Sequence, residues 1–205
     1  MKDKVNVDYP ILPHLQERWS PRAFDESEMD DSTLRRILEA ARWAPSCFNE
    51  QPWHFLVARR QEQEGFRLLL SCLNEFNQQW AKRASVLMIT AARCNFAENG
   101  KDNRHALHDV GLAVAQLTVQ ATALGYFTHQ MAGFSEEKVR TQCKVSEGFT
   151  PVTGIAIGRQ GAVEVLPDAL QEKELAPQRR RPQAEFVFGT RWGQALESKV
   201  VDGSS

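Results

Sequence analysis

The amino-acid sequence predicts a single α+β domain spanning residues 1–205. Helical and strand-like segments alternate, but irregularly; apolar runs of strand length occur at 53–58 and 86–92; and 105–124 is apolar on more than one helical face. A length of 205 residues falls within one domain, and 42% hydrophobic content is enough to fill one sizeable core.

The elements follow in order. Asp30, Asp31 and Ser32 are N-cap candidates for a helix that carries Leu34, Ile37, Leu38 and Ala41 on one face and must stop near Pro45. After the turn at 49–52, 53–58 reads as a buried strand. Phe66, Leu69, Leu70, Leu73, Phe76 and Trp80 then form one apolar stripe, which predicts one second helix. The run 86–92 predicts an interior strand. Val110, Val114, Leu117, Ala121 and Leu124 mark a central helix that Gly125 closes in the left-handed conformation. Next come a strand at 126–129, a short helix capped by Ser135 with Glu136 and Glu137 in its first turn, and an alternating strand at 152–157. Beyond Gly158 the chain is polar and proline-punctuated until a strand-like piece at 185–188, followed by Arg191, Trp192 and Gly193. Such a tail has too little apolar surface to fold alone and is expected to lie across another surface, with 202–205 frayed.

Bulk properties narrow the function. Twenty-five Lys and Arg nearly cancel 26 Asp and Glu, so no global field favours nucleic acid or an anionic membrane. Cys47, Cys72, Cys94 and Cys143 are scattered, without CxxC pairs or zinc-ligand spacing, and read as free thiols of a reducing compartment. The charged start at 1–10 lacks a secretory pattern, which makes the cytoplasm the default. The apolar stretch 110–124 is short for a membrane span. His54, His105, His108 and His129 have no metal-ligand partners in the sequence and read as packed or hydrogen-bonded side chains. Trp19, Trp43, Trp53 and Trp80 read as core or interface, and Trp192 as an anchor for the tail.

Two arginine-rich segments stand out, Arg18-Trp19-Ser20-Pro21-Arg22 and Arg179-Arg180-Arg181-Pro182. Guanidinium groups on proline-stiffened backbone suit a bidentate grip on phosphate, although a solvated surface cluster is the commoner outcome for such loops. The stretch 44–53, Ala-Pro-Ser-Cys-Phe-Asn-Glu-Gln-Pro-Trp, places hydroxyl, amide and aromatic groups between a helix end and a buried strand, as pocket loops often do.

Taken together, these segments resemble the nitroreductase family of FMN enzymes. The resemblance rests on Arg18-x-Ser20-x-Arg22-x-Phe24, on Glu39 to Ser46 with Asn49-x-Gln51-Pro52-Trp53, and on later pieces in family order: Asn77 with Trp80, Asp109-x-Gly111-x-Ala113, Gly133-Phe134, Gly154 to Gly158 and Arg180-x-Pro182. It implies a mixed, mostly antiparallel sheet flanked by helices, in an intertwined homodimer whose C-terminal extension crosses to the partner. By the same resemblance Arg18, Trp19, Ser20 and Arg22 border the FMN phosphate and pyrimidine edge, and Arg180 completes the phosphate grip. Pro45, Ser46, Cys47 and Asn49 reach the flavin of the opposite subunit, Asn77 bonds the polar ring edge, and the backbone of Met131, Ala132 and Gly133 approaches N5 and O4. Relatives often carry serine at 47, and some carry an acid at 132 and lysine at 80.

The implied activity takes hydride from NADH or NADPH and delivers it to small electrophilic acceptors such as nitroaromatics and quinones by ping-pong turnover, with no side-chain acid, base or nucleophile required. Other flavin chemistry within the family, namely enone reduction, dehalogenation or flavin degradation, is a second possibility, and a flavin-binding module without turnover a third.

Overall fold

The structure, a computed structural model, describes residues 7–196. The described residues divide into two compact units, the larger ending at Ala176 and the smaller beginning at Pro177. The sequence expectation for 202–205 lies outside the described residues.

In the larger unit, Pro13 opens a short helix, α1 (Pro13–Glu17), that the sequence reading did not anticipate. Proline suits a first helical turn because the amide it lacks would have no helical acceptor there. Helix α2 (Asp31–Arg42) begins where expected: the Asp30 carboxylate accepts the Thr33 amide at 2.8 Å, and Leu34, Ile37 and Ala41 are buried. Strand β1 (Trp53–Arg59) follows.

The predicted second helix is two helices, α3 (Gln63–Cys72) and α4 (Glu75–Ala81). The stripe was read correctly in Phe66, Leu69, Leu73 and Trp80, which are all buried. Leu73, however, turns extended (ψ 156°) and bridges Phe134, while the Asn74 side chain caps α4 by accepting the Asn77 amide at 2.9 Å. Asparagine's preference for the N-cap over the helix interior explains the restart.

Strand β2 (Val86–Arg93), helix α5 (Ala106–Ala123), strand β3 (Phe127–Met131), helix α6 (Glu136–Gln142) and strand β4 (Phe149–Gly158) complete the frame. Gly125 has φ +76°, as its place after α5 predicts, and the Ser135 hydroxyl accepts the Lys138 amide at 3.2 Å. The sheet order is β1-β2-β4-β3, and every pairing among the described residues is antiparallel, so the mixed element of the expected sheet does not occur there. β4 begins three residues earlier than the alternation predicted. The register shift between Thr90 and Ala91 admits Pro151, which has no amide to give the ladder.

Period-two alternation sends successive β2 side chains to opposite faces. Leu87 and Ile89 join the core beneath α3 and α4, whereas Val86, Met88 and Ala92 join the core beneath α2 and α5. The sheet is therefore covered on both faces. After β4 comes a second unforeseen helix, α7 (Asp168–Leu175), with Leu170 and Glu174 buried. It escaped notice because its pattern is mostly polar.

In the smaller unit, the predicted strand at 185–188 is instead a 3₁₀ turn at Gln183–Glu185, with one isolated bridge between Phe188 and Ala195. Pro182 stands at its start, where the absence of an amide does no harm.

Candidate functional site

The candidate site is built along β3 and the turn that follows it. The extended segment from Arg18 to Ala23 meets β3 and α4 through specific contacts. The Trp19 indole is buried and meets Phe127 edge-on, ring centroids 6.4 Å apart. His129 Nδ1 lies 3.0 Å from the Pro21 carbonyl. A carbonyl only accepts, so the neutral ring carries its proton on Nδ1. Burial, reinforced by the charge of Arg22, pulls His129 down to about 4 from its ordinary 6.5. Trp80 of α4 stacks obliquely on His129 at 4.5 Å, and the Arg22 guanidinium lies 6.0 Å from the indole centroid.

One residue that the sequence reading missed pins this segment. Glu174 of α7, only 4% exposed, accepts the backbone amides of Arg22 at 2.8 Å and Ala23 at 3.0 Å. Its second oxygen stands 3.9 Å from Arg22 Nη1. Nothing in the polar tail marked Glu174 in advance, because its partners lie some 150 residues away in sequence.

The floor is the turn after β3. The Gly133 carbonyl accepts the Asn74 amide at 3.0 Å and Asn77 Nδ2 at 2.9 Å, and the Met131 carbonyl accepts the Thr153 hydroxyl at 3.0 Å. A Cβ on Gly133 would overlap the Asn74 and Asn77 amides, so glycine is required by the packing of α4 against this turn. Ala132 is exposed beside it. Trp80 is fully buried and puts an indole in the core beneath the site.

Arg18 and Ser20 form the outer edge, with Arg18 Nη1 3.4 Å from the Ser20 hydroxyl. The structure thus forms a shelf along β3: it sets Trp19 and Arg22 against β3 and α4, with Arg18 and Ser20 beside them in the chain, and joins Asn77 of α4 to the turn of Met131, Ala132 and Gly133 that ends the same strand.

The loop from Pro45 to Asn49 is anchored differently. The Cys47 amide donates to Asp109 Oδ2 at 3.0 Å, and the Ser46 hydroxyl accepts the Gln51 amide at 3.0 Å. Asp109 is 2% exposed, with His108 Nδ1 3.2 Å from its other oxygen. Three non-glycine residues, Phe48, Asn49 and Gln51, have φ between 50° and 56°. Left-handed backbone costs a non-glycine residue roughly 1–2 kcal/mol. The loop holds that strain while presenting Phe48, 89% exposed, to solvent. In the smaller unit, Arg180 is exposed and donates from Nη1 to the Arg179 carbonyl at 2.8 Å.

The shelf is chemically a set of donors: two guanidiniums, a hydroxyl and a carboxamide. Arg22 Nε and Trp80 Nε1 are enclosed without an acceptor among the described residues. Those residues contain no cluster of three or more His, Cys, Asp and Glu able to hold a metal, and no helix long and apolar enough to cross a membrane. An anion with further acceptor atoms is the complement of such a surface.

The sequence pattern of the nitroreductase family matches residues 15–159, which takes in the Arg18 to Arg22 segment, the 45–51 loop and the Gly133 turn. The chain belongs to the nitroreductase family. A 15.4 kDa protein from the ask 5′ region of Mycolicibacterium smegmatis, itself uncharacterised, is 32% identical over 149 residues, covering 69% of this chain and 99% of that one. An oxygen-insensitive NADPH nitroreductase of Helicobacter pylori is 34% identical over 79 residues, 38% of this chain and 36% of that one. Among solved structures, an oxidoreductase containing FMN superposes with a TM-score of 0.88 at 38% identity, over 92% of this chain and 96% of the other. This nitroreductase-family chain therefore shares the antiparallel four-stranded α+β fold with an FMN-containing relative.

Proposed function

We propose that this chain is an FMN-dependent oxidoreductase that takes hydride from NADH or NADPH and reduces small electrophilic acceptors, nitroaromatics and quinones, as a homodimer with ping-pong turnover. The observation that carries the reading is the donor shelf. The segment from Arg18 to Arg22 packs on β3 and α4, and Asn77 of α4 bonds the Gly133 turn after β3, so these candidate positions lie on shared elements and are rich in donors. Bound there, FMN would supply the hydride chemistry at its N5.

The chain's own residues would do the rest. Arg18 and Ser20, with Arg180, would hold the phosphate through charge-assisted bonds. Arg22 would place positive charge where the reduced cofactor gathers negative charge, favouring reduction. Asn77 and the turn from Met131 to Gly133 would fix the ring edge, and Trp19 would stiffen the segment from below. Pro45, Ser46, Cys47 and Asn49 would reach the partner's flavin.

Exposed apolar surface supports the dimer. Trp43 is 72% exposed, Leu107 54% and Leu12 66%. Leu12, Leu15, Ala40, Ala115, Gln116, Val119 and Gln120 line an apolar groove of about 380 Å³, and a Cβ built on Gly111 of α5 meets nothing within 4 Å. Apolar surface of this kind marks an interface. Four free thiols suit a reducing cytoplasm.

The visible spectrum and native mass of the purified protein test the proposal. A yellow dimer whose absorbance bleaches anaerobically with NAD(P)H is expected; a colourless monomer indifferent to added FMN overturns it. Bleaching separates an oxidoreductase from a mere flavin-binding module, and an acceptor panel separates nitro and quinone reduction from enone reduction, dehalogenation or flavin degradation. Arg18→Ala and Arg180→Ala should each weaken FMN binding about tenfold or more, from the roughly 1.5–3 kcal/mol worth of a hydrogen bond to a charged group. Full flavin retention by both variants would remove the phosphate assignment.

A further inference from the structure

We propose that Glu174 of α7 is a positioning residue that sets both the pose and the effective charge of Arg22 toward the cofactor. The inference rests on the FMN reading above and goes beyond it, because Glu174 lies outside every segment that carries the family resemblance.

Three contacts converge on one buried carboxylate. The Arg22 and Ala23 amides donate to a single oxygen at 2.8 and 3.0 Å, and the Arg22 guanidinium approaches the other at 3.9 Å. Accepting two backbone amides fixes the peptide on either side of the Arg22 Cα, so the side chain leaves the backbone in one direction. The guanidinium is then braced by the Trp80 indole, on which His129 stacks obliquely at 4.5 Å. His129 is held neutral by burial and by Arg22 itself, so it adds no competing cation at neutral pH. Glu174 is therefore the counter-ion that the described contacts give to Arg22.

A simple structural peg would not need a carboxylate. A carboxamide can accept the same two amides, as buried glutamine side chains do. The second oxygen's approach to the guanidinium adds a charge effect: a negative group behind Arg22 tempers the positive field that Arg22 projects forward. The chain thereby holds a strong anion-stabilising cation at an intermediate strength, which places the potential of the bound cofactor below the value Arg22 alone would set.

The test is the two-electron midpoint potential of bound FMN, measured by dye equilibration in the wild type, Glu174→Gln, Glu174→Asp, Arg22→Gln and the Arg22→Gln/Glu174→Gln double variant. Glu174→Gln should move the reduced-to-oxidised ratio about tenfold toward reduced, a shift of about 30 mV to more positive potential. Glu174→Asp keeps the charge and should stay within twofold of wild type. In the Arg22→Gln background the Glu174→Gln shift should fall below half. A wild-type potential retained by Glu174→Gln, an equal shift in both backgrounds, or an equal shift from Glu174→Asp would overturn the inference. Should Glu174→Gln not fold, Glu174→Asp compared with wild type decides alone, and a shift beyond twofold counts against it. If the wild type binds no FMN, it is the functional reading that fails, and Glu174 is not at issue.

Discussion

The shelf along β3 and the loop from Pro45 to Gln51 are both proposed to meet FMN, the loop that of a partner chain, yet they are built on opposite plans. The shelf is pinned from behind: Glu174 holds the Arg22 and Ala23 amides, His129 holds the Pro21 carbonyl, and the Asn74 and Asn77 amides hold Gly133. The loop hangs from the buried Asp109, keeps three left-handed residues, and turns an almost fully exposed Phe48 outward. The first is held by many contacts within the chain. The second is held at its root and open at its tip, and the strain it stores is of the kind that surrounding structure must sustain.

The contrast breaks most visibly at Trp80. Its indole is fully buried and touches Phe24, His129 and Arg22 together. Trp80→Ala should destabilise the chain by about 3–5 kcal/mol, the range for emptying a large aromatic site. FMN affinity should fall with it. Denaturant unfolding of the apoprotein measures the first effect, and a loss below about 1 kcal/mol would mean that the shelf does not rest on this ring.

His129 gives the shelf a pH signature that the loop should lack. Its folded pKa lies near 4, below the ordinary 6.5, so between those values the unfolded chain binds the extra proton and the folded chain does not. Stability from this source is complete above pH 6.5 and is lost as pH falls toward 4, by up to about 3 kcal/mol at 1.36 kcal/mol per unit. Subtracting the stability profile of His129→Phe from that of the wild type isolates the term. A flat difference across that window would show that His129 is already protonated, or freely hydrated, in the fold.

How much of this was legible beforehand depended on whether a residue's partner was near in sequence or followed a period. The α2 cap at Asp30, the buried β2 strand and Gly125 after α5 obey local rules and were read directly. The break between α3 and α4 was hidden because the apolar stripe runs through Leu73 unbroken, and only a long-range bridge to Phe134 turns it extended. Helix α7 lacks an apolar face, and Glu174 takes its meaning from amides some 150 residues earlier. Arg18, Ser20, Arg22, Asn77 and Gly133 were proposed through the family resemblance. Asp109 stood in the same set of motifs and His129 was read as a packed or hydrogen-bonded side chain, but their partners and the whole role of Glu174 were not legible, since a buried polar residue is defined by what surrounds it.

The loop can be tested at its root and at its tip. At the root, Asp109→Ala leaves the Cys47 amide without its acceptor and should cost about 1–3 kcal/mol, the penalty for an orphaned buried donor. If the loop reaches a partner's flavin, FMN release should quicken as well, which fluorescence-monitored dissociation would record. Unchanged stability and release would mean that Asp109 does not govern the loop.

At the tip, Phe48→Gly opposes two effects of similar size. Glycine adopts φ near 52° freely and relieves roughly 1 kcal/mol of strain, while the edge-on contact with Phe96 at 6.0 Å is lost, a pair worth about 0.5–1.5 kcal/mol. The folding stability of the single chain should therefore change by less than about 0.5 kcal/mol. An exposed aromatic retained against backbone strain needs another beneficiary, and the proposed dimer supplies one: removal of the ring should raise the dimer dissociation constant at least about fivefold, equivalent to about 1 kcal/mol at the interface. Sedimentation across a dilution series separates the two readings. A Phe48→Gly protein as dimeric as the wild type would place the loop tip in solvent and leave the strain at Phe48 unrelated to assembly.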